Sequence, residues 1–372
     1  MRLLMIFSLA FLTLSHLFAA DVKPLAIGTK APNFKLLSTD GETITLQSFK
    51  KAELFVFIFT ANHCPTAQAY EDKMINMVKE YKQRGVAFVA ISSNHPGAVR
   101  LDELGYSDLG DSYEEMQIRA KQKQYNFPYL YDGDTQEVAL KYGPMATPHV
   151  FIFDKDRRLR YQGRIDDTEN PYIEPKSRDA INAIEALLAD EEVPVETTKV
   201  FGCSMKWIDK VSWVEKSDAE WAALPVSVEE IDSLGITRLI KNETENYRLI
   251  NVWATWCGPC IVEFPELVKI NRMYRGRQFE FITISADKPD QRDQVVKFLR
   301  ENLAANRNYH FNSTDVYALI EAVDPEWAGA LPHTILVAPN GEIIYRHTGL
   351  IDPLVVKQKI VRQLGRYYAD ND

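Results

Sequence analysis

Two stretches of the chain repeat one order of buried and amphipathic segments. Residues 54–60 (LFVFIFT) form an unbroken apolar run of strand length, the pattern of a strand covered on both faces. Residues 67–84 follow with Tyr70, Met74, Met77, Val78 and Tyr81 at helical spacing. Gly85 stops that helix, and residues 86–92 (VAFVAIS) give a second buried strand. Strand, helix and strand at this length predict a parallel, right-handed crossover. The same order returns at 248–254 (RLINVWA), 259–274 and 278–286 (QFEFITISA). Later in each half a proline opens an apolar strand, Pro148 before HVFIFD and Pro332 before HTILVA, and a turn leads into one more strand. Setting Ala61 on Ala254 without gaps lays FTANHCPTA over VWATWCGPC, so Cys64 falls on Cys257.

Between the halves, residues 189–224 mix acidic side chains with Pro194 and three tryptophans, Trp207, Trp213 and Trp221. That is too aromatic for a free linker and predicts an ordered connector, which holds Cys203. The expected division is a leader over 1–20, a first domain over 21–189, the connector over 190–224 and a second domain over 225–372. A length of 372 residues fits about two domains plus a linker. With 43 Lys and Arg against 52 Asp and Glu the formal charge is −9, which argues against a nucleic-acid partner, since phosphate binding needs clustered excess Lys and Arg. At the N-terminus, Arg2, an apolar run to Phe18 and Ala19-Ala20 before Asp21 have the layout of a secretory signal peptide, with Phe18 where a small residue is usual. Ser8, Thr13, Ser15 and His16 interrupt the run, which falls short of the ~20 apolar residues of a spanning helix. No other segment is long and apolar enough to cross a bilayer. The expectation is an exported chain, periplasmic or extracellular, soluble after removal of residues 1–20, where disulfides persist.

Four cysteines are too few for a disulfide-stapled scaffold, so their placement decides their meaning. Trp256-Cys257-Gly258-Pro259-Cys260 follows a buried strand and opens a helix. Both thiols then sit at one helix N-terminus, where unpaired N–H groups and the helix dipole stabilise a thiolate. Cys257 is the expected attacking sulfur, and Cys260, one turn in, the resolving one. Half a zinc site is the competing interpretation. It lacks two further ligands, with no second CxxC and no paired motif among seven histidines. WCGPC on this plan resembles thioredoxin. The resemblance implies a cis bond at Leu331-Pro332 facing the pair, and an extended substrate segment bound at the Leu331 backbone beside Trp256. Where thioredoxin carries a buried Asp for proton transfer, this chain has Asn251, and Glu263-Phe264-Pro265 follows Cys260. That pattern resembles the exported TlpA/ResA-type thiol–disulfide oxidoreductases, and implies that Glu263 handles the proton of the thiol pair. A solvated helix glutamate is the alternative.

In the first half the aligned motif is Asn62-His63-Cys64-Pro65-Thr66-Ala67. Ala67 takes the resolving position, so no small disulfide ring can form there. Cys64 remains at a helix N-terminus beside His63, a place for a reactive thiolate. Over residues 25–170 the chain is similar to the peroxiredoxin-like (redoxin, AhpC/TSA-like) branch of the thioredoxin superfamily. The resemblance rests on Gly28-Thr-Lys-Ala-Pro32-Asn-Phe34, the Asp40-Gly41 turn, NHCP, Tyr129-Leu-Tyr-Asp132, Thr147-Pro148 and Gly163-Arg164-Ile-Asp166-Asp167. True peroxiredoxins carry Pro-x-x-x-Thr-x-x-Cys. Phe57 and Ala61 stand in place of that Pro and Thr, which counts against peroxide chemistry. Arg164 either stabilises charge at such a site or pairs with Asp166 and Asp167. Cys203, in Val200-Phe-Gly-Cys-Ser-Met-Lys-Trp207, is either a small buried hydrophobe or the resolving partner of Cys64.

The expected fold class is α/β, two tandem thioredoxin-like folds, each a central mixed β-sheet flanked by helices. The expected function is thiol–disulfide exchange through Cys257 and Cys260 with Glu263, and with Cys64 and Cys203 as a second redox centre that the first pair reduces. Expected substrate contacts are Trp256, Leu331 and Pro332, with Thr147 and Pro148 in the first half. No cofactor or metal is called for. The expected partners are protein thiols or disulfides and an upstream thiol donor. Two alternatives stay open: a thiol peroxidase with its reductant domain fused in cis, or a first domain that only binds a client.

Overall fold

A computed structural model describes residues 22–170 and 172–368; the expected leader, residues 1–20, lies outside them. The first half runs β1 (Lys35–Ser38), β2 (Thr43–Thr45), β3 (Leu54–Phe59), α1 (Pro65–Ala69), α2 (Glu71–Tyr81), β4 (Val86–Ser92), α3 (Tyr113–Lys123), β5 (Tyr129–Tyr131), α4 (Glu137–Tyr142), β6 (Ala146–Thr147), β7 (His149–Phe153), β8 (Leu159–Gly163) and α5 (Asp179–Leu188). The connector holds β9 (Cys203–Ser204) and α6 (Val211–Ala222). The second half runs β10 (Glu229–Ile231), α7 (Ser233–Lys241), β11 (Tyr247–Trp253), α8 (Gly258–Tyr274), β12 (Phe279–Ser285), α9 (Arg292–Glu301), β13 (Arg307–Phe311), α10 (Val316–Val323), β14 (His333–Val337), β15 (Ile343–Thr348) and α11 (Pro353–Leu364).

Each half is built on a mixed sheet. The first has the order β2-β1-β5-β4-β3-β7-β8 and the second β10-β13-β12-β11-β14-β15. In both, the strand before the cysteine loop sits inside the sheet. β3 pairs parallel with β4 and antiparallel with β7, and β11 does the same with β12 and β14. Such a strand is covered on both faces, which is why β3 is apolar at every position. Its alternation divides it between two cores. Phe55, Phe57 and Phe59 pack with Phe151, Phe153 and Tyr142 on one side, and Leu54, Val56 and Ile58 with Tyr70, Met74 and Ile184 on the other.

The helix expected over 67–84 is divided. It starts earlier, at Pro65, breaks at Tyr70 into α1 and α2, and ends in a 3-10 turn at Lys82–Arg84 before Gly85 at φ 83°. Tyr70 is buried at the break, its hydroxyl donating to Asp166 and to the Thr168 carbonyl.

The halves meet at the C-terminal ends of α8 and α11. Tyr274 donates to the Ser107 carbonyl at 2.7 Å, and Arg277 binds the carbonyls of Gly105 and Gly365 at 3.0 and 2.8 Å. Just past α11, Arg366 binds Asp108 at 2.7 Å and also Gln68, and Tyr368 meets the Thr66 hydroxyl at 3.4 Å.

Candidate functional site: two cysteine loops

In the second half, β11 delivers the chain to the loop and Cys257 caps α8, its sulfur accepting the Cys260 N–H at 3.3 Å. Cys257 and Cys260 form a disulfide with S–S 2.02 Å. Both are buried, whereas Trp256 beside them is 66% exposed. The loop is held from below by Asp287, fully buried after β12, which accepts the Thr255 N–H at 3.0 Å and the Thr255 hydroxyl at 2.6 Å. The Leu331-Pro332 bond is cis. Among the described residues the Leu331 N–H and C=O have no partner within the chain, and Leu331 lines a hollow of about 380 Å³ with Trp256, Phe311, Val316, Leu319 and Trp327.

Glu263, on α8 one turn past Cys260, is only 2% exposed. Its carboxylate accepts the Asn251 amide at 2.9 Å and the Ile351 N–H at 2.9 Å. Burial pushes its pKa up to about 7, against the pull of those two bonds. Asn251, fully buried on β11, also donates to the Thr334 hydroxyl at 3.0 Å. The buried carboxyl has moved from the strand to the helix, and the strand position keeps an amide that grips it.

In the first half Cys64 caps α1 and has no exposed surface. Its sulfur accepts two backbone N–H groups, from Ala67 and from Cys203, both at 3.4 Å, and lies 3.2 Å from the Thr147 carbonyl. Cys203 arrives on β9, which pairs antiparallel with β6 so that Cys203 stands opposite Thr147, just before the cis Thr147-Pro148 bond. Both cysteines are free thiols. Gly202 makes this approach possible, because at φ 120° a Cβ there would lie 2.0 Å from the Thr147 carbonyl oxygen. Burial works to raise the Cys64 pKa, yet a hydrogen bond from the Cys203 thiol and the charge of His63 outweigh it and hold the Cys64 thiol at about 6. The same hydrogen bond drives Cys203 upward, so Cys64 ionises first.

Beneath this loop lies a residue that the sequence pattern did not single out. Asp111, fully buried, accepts the backbone N–H groups of Asn62 and His63 at 2.7 and 3.2 Å, the His63 ring at 2.5 Å and the Asn94 amide at 2.8 Å. Burial works to lower the His63 pKa, but Asp111 raises it overall. Carrying the ungapped alignment of the loops on to the next strand sets Asn94 on Asp287. That is the signal that marks the pocket floor, although Asp111 itself comes from the longer excursion between β4 and α3.

The expected substrate edge at Thr147 is filled by β9 and is not open to an outside segment. Arg164 does not pair with Asp166 or Asp167 through its side chain. Its Nε binds Asp179 at 2.7 Å, while Asp166 takes Lys73 at 2.6 Å and Tyr70. Phe57 is locked in the aromatic core, stacked on Phe34 and Phe55. Cys64 and Cys203 are brought together, but the two pairs are not. Cys257 caps the start of α8, whose 17 residues span about 25 Å. Tyr274, at its other end, binds Ser107, whose hydroxyl reaches the carbonyl of Asn62, two residues from Cys64. The two centres lie at opposite ends of that helix.

Sheet order, cis prolines and loop position define both halves as thioredoxin-like folds. Residues 27–162 match the AhpC/TSA family and residues 235–358 match the Redoxin family. The chain therefore carries two tandem domains of the thioredoxin superfamily. Among curated relatives, the thiol-disulfide oxidoreductase ResA of Halalkalibacterium halodurans is 30% identical over 118 residues, 29% of this chain and 57% of that protein. The thiol:disulfide interchange protein DsbE of Escherichia coli is 30% identical over 112 residues, 30% of this chain and 55% of that protein. The chain thus spans just over half the length of these two. Among solved structures, a hypothetical protein SMc02350 from Sinorhizobium meliloti is 31% identical, with 50% of this chain and 96% of that chain covered at a TM-score of 0.45.

Proposed function

We propose that this protein is a thiol–disulfide oxidoreductase that works through Cys257 and Cys260, with Cys64 and Cys203 as a second redox centre. The single observation behind this is the Cys257–Cys260 disulfide at the start of α8, packed against Leu331, with the buried Glu263 one turn further along the helix. An extended substrate would lie along Leu331 and Pro332 with an apolar side chain in the hollow beside Trp256. The Cys257 thiolate attacks a disulfide of that substrate, whose S–S bond breaks and whose other sulfur leaves as a thiolate; Cys260 then attacks Cys257, closes the Cys257–Cys260 disulfide and releases the second substrate sulfur. Glu263, titrating near neutrality, takes the Cys260 proton. In the first half, Cys64 as thiolate and Cys203 as thiol would close a disulfide by exchange with an outside disulfide, which takes the two electrons and the proton and leaves as one thiolate and one thiol. The peroxidase alternative lacks the Pro and Thr of a peroxide site, and Arg164 is engaged with Asp179.

The division into domains 21–189 and 225–372 with a connector at 190–224 belongs to the same proposal, as does export to a periplasmic or extracellular space. Among the described residues no helix is long and apolar enough to cross a membrane. Partners are protein thiols or disulfides and an upstream thiol donor. The test is reduction of insulin disulfides with dithiothreitol as donor, comparing wild type with Cys257→Ser. The variant is expected to fall to the dithiothreitol background; an unchanged rate would remove this pair from the chemistry.

A further inference from the structure

The relay between the two centres meets a geometric obstacle. They sit at opposite ends of α8, about 25 Å of helix apart. The Cys203 strand is bolted to the first half on both sides of its backbone. Lys206 N–H donates to the Asn94 side chain at 2.9 Å, and the Lys206 carbonyl accepts from His95 N–H at 2.9 Å and from Gln136 at 2.9 Å. At the C-terminal end of α6, Trp221 is fixed to the second half, its indole N–H on the Leu303 carbonyl at 2.9 Å and its ring under Arg272 and Arg275. Carrying Cys203 to Cys257 of the same chain would require both attachments to come apart.

Nothing of the kind obstructs an encounter between two copies. Cys203 is partly exposed and Ser204 exposed, whereas Cys64 has no exposed surface, so Cys203 is the sulfur of that pair which an outside thiol can reach. On the other copy, Cys257 is flanked by the exposed Trp256 and the unpaired Leu331 backbone. The occupant such an edge accepts is already visible in the first half. There, the segment around Cys203 lies antiparallel on the residue before the cis proline. The first half thus shows the kind of strand such an edge accepts, and among the described residues the Leu331 backbone has no partner.

We infer that the two cysteine pairs exchange between copies of the chain, with Cys257 of one copy attacking the Cys203 sulfur of another. This rests on the proposed redox role of both pairs. The Cys257 thiolate forms a bond to Cys203 Sγ as the Cys64–Cys203 bond breaks, and Cys64 leaves as a thiolate. Two backbone N–H groups receive that charge, which makes Cys64 the better leaving group. Cys260, its proton passed to Glu263, then attacks Cys257, closes the Cys257–Cys260 disulfide and releases Cys203 as a thiolate that is protonated from water. Two electrons pass from one pair to the other.

The experiment mixes two full-length variants. One, Cys257→Ser with Cys260→Ser, is oxidised with diamide to its Cys64–Cys203 disulfide. The other, Cys64→Ser with Cys203→Ser and Cys260→Ser, offers a reduced Cys257 that cannot be resolved. The expected product is a covalent heterodimer on a non-reducing gel, with peptide mapping giving the Cys257–Cys203 link at least tenfold above Cys257–Cys64. A link through Cys64 overturns the inference. So does the absence of a heterodimer. If wild-type chains at high dilution still pass electrons between the pairs, the relay itself survives and only the exchange between copies falls. If diamide forms no Cys64–Cys203 disulfide in the first variant, the second redox centre is lost, and the inference with it.

Discussion

The two loops solve one problem with different parts. Each places a cysteine at a helix N-terminus and hangs the preceding turn on a buried carboxylate, Asp287 under Thr255 in one case and Asp111 under Asn62 and His63 in the other. The second loop keeps its partner sulfur on the helix and leaves the cis-proline edge open. The first has Ala67 where that sulfur would be and receives Cys203 from a strand that fills the edge. An open edge serves outside substrates. A filled edge serves one sulfur, supplied by the chain itself.

The sharpest way to break this contrast is Gly202→Ala. The added methyl would sit 2.0 Å from the Thr147 oxygen at a φ that disfavours any side chain, so β9 must leave β6. The expected result is loss of diamide-induced Cys64–Cys203 disulfide and an increase of at least tenfold in Cys64 alkylation by iodoacetamide. Cys257 chemistry should be untouched. A disulfide yield equal to wild type would show that Cys203 does not depend on this strand pairing.

Glu263→Gln tests the other loop. With the carboxyl titrating near 7, wild-type exchange should rise with pH through that value and then level off. The variant should be roughly 100-fold slower on the plateau and lack the step. Stability must move in the opposite sense. A carboxyl raised by burial keeps its proton in the folded chain while the unfolded chain loses it near the ordinary value of ~4.3. Stability therefore falls as pH rises from there to about 7 and stays lower above it. Glu263→Gln should then melt higher than wild type at pH 8 and close to it at pH 4. Equal melting shifts at both pH values would show a carboxyl of ordinary titration.

Much of this was legible in the sequence, and the part that was not has a physical reason. The β3 and β11 cores, the Cys257–Cys260 pair and the position of Glu263 follow from local pattern, because strand burial and helix spacing are short-range properties. The partners that set the chemistry of Cys64 are long-range. Cys203 reaches it through a two-residue pairing with Thr147, and Asp111 through a loop with no counterpart in the second half. Nor does spacing reveal that α8 separates the two centres. That depends on Tyr274 and Arg277 docking against residues 105–107.

His63→Gln probes the electrostatic side of the first loop. Removing the cation that Asp111 holds beside Cys64 makes the thiolate harder to form, so its midpoint should rise from about 6 by roughly 1 pH unit. The readout is thiolate absorbance at 240 nm in a Cys203→Ser background, where the hydroxyl still donates to Cys64 and Cys257 stays in its disulfide. Asp111, Lys206 and Tyr368 are the other charged or titratable neighbours and remain in place. An unmoved midpoint would assign the low value to hydrogen bonding alone.

The smallest effect is expected at the seam between the halves, where the tail after α11 lies over the first loop. Burial works to raise Asp108, but Arg366 outweighs it and holds the carboxyl below its ordinary range. The pair is about a third open to solvent on the arginine side, so Arg366→Ala should cost only about 1 kcal/mol in urea unfolding. Its diagnostic effect is local. Arg366 also binds Gln68, whose amide donates to the Asn62 carbonyl at 2.6 Å, and Tyr368 meets Thr66, so loosening the tail relaxes the turn that carries Cys64. Cys64 alkylation should rise a few-fold while insulin reduction through Cys257 stays at the wild-type rate. If both rates hold steady, the tail is a structural strap with no influence on either thiol. If both change, the halves are coupled along α8 and the two loops cannot be treated as independent centres.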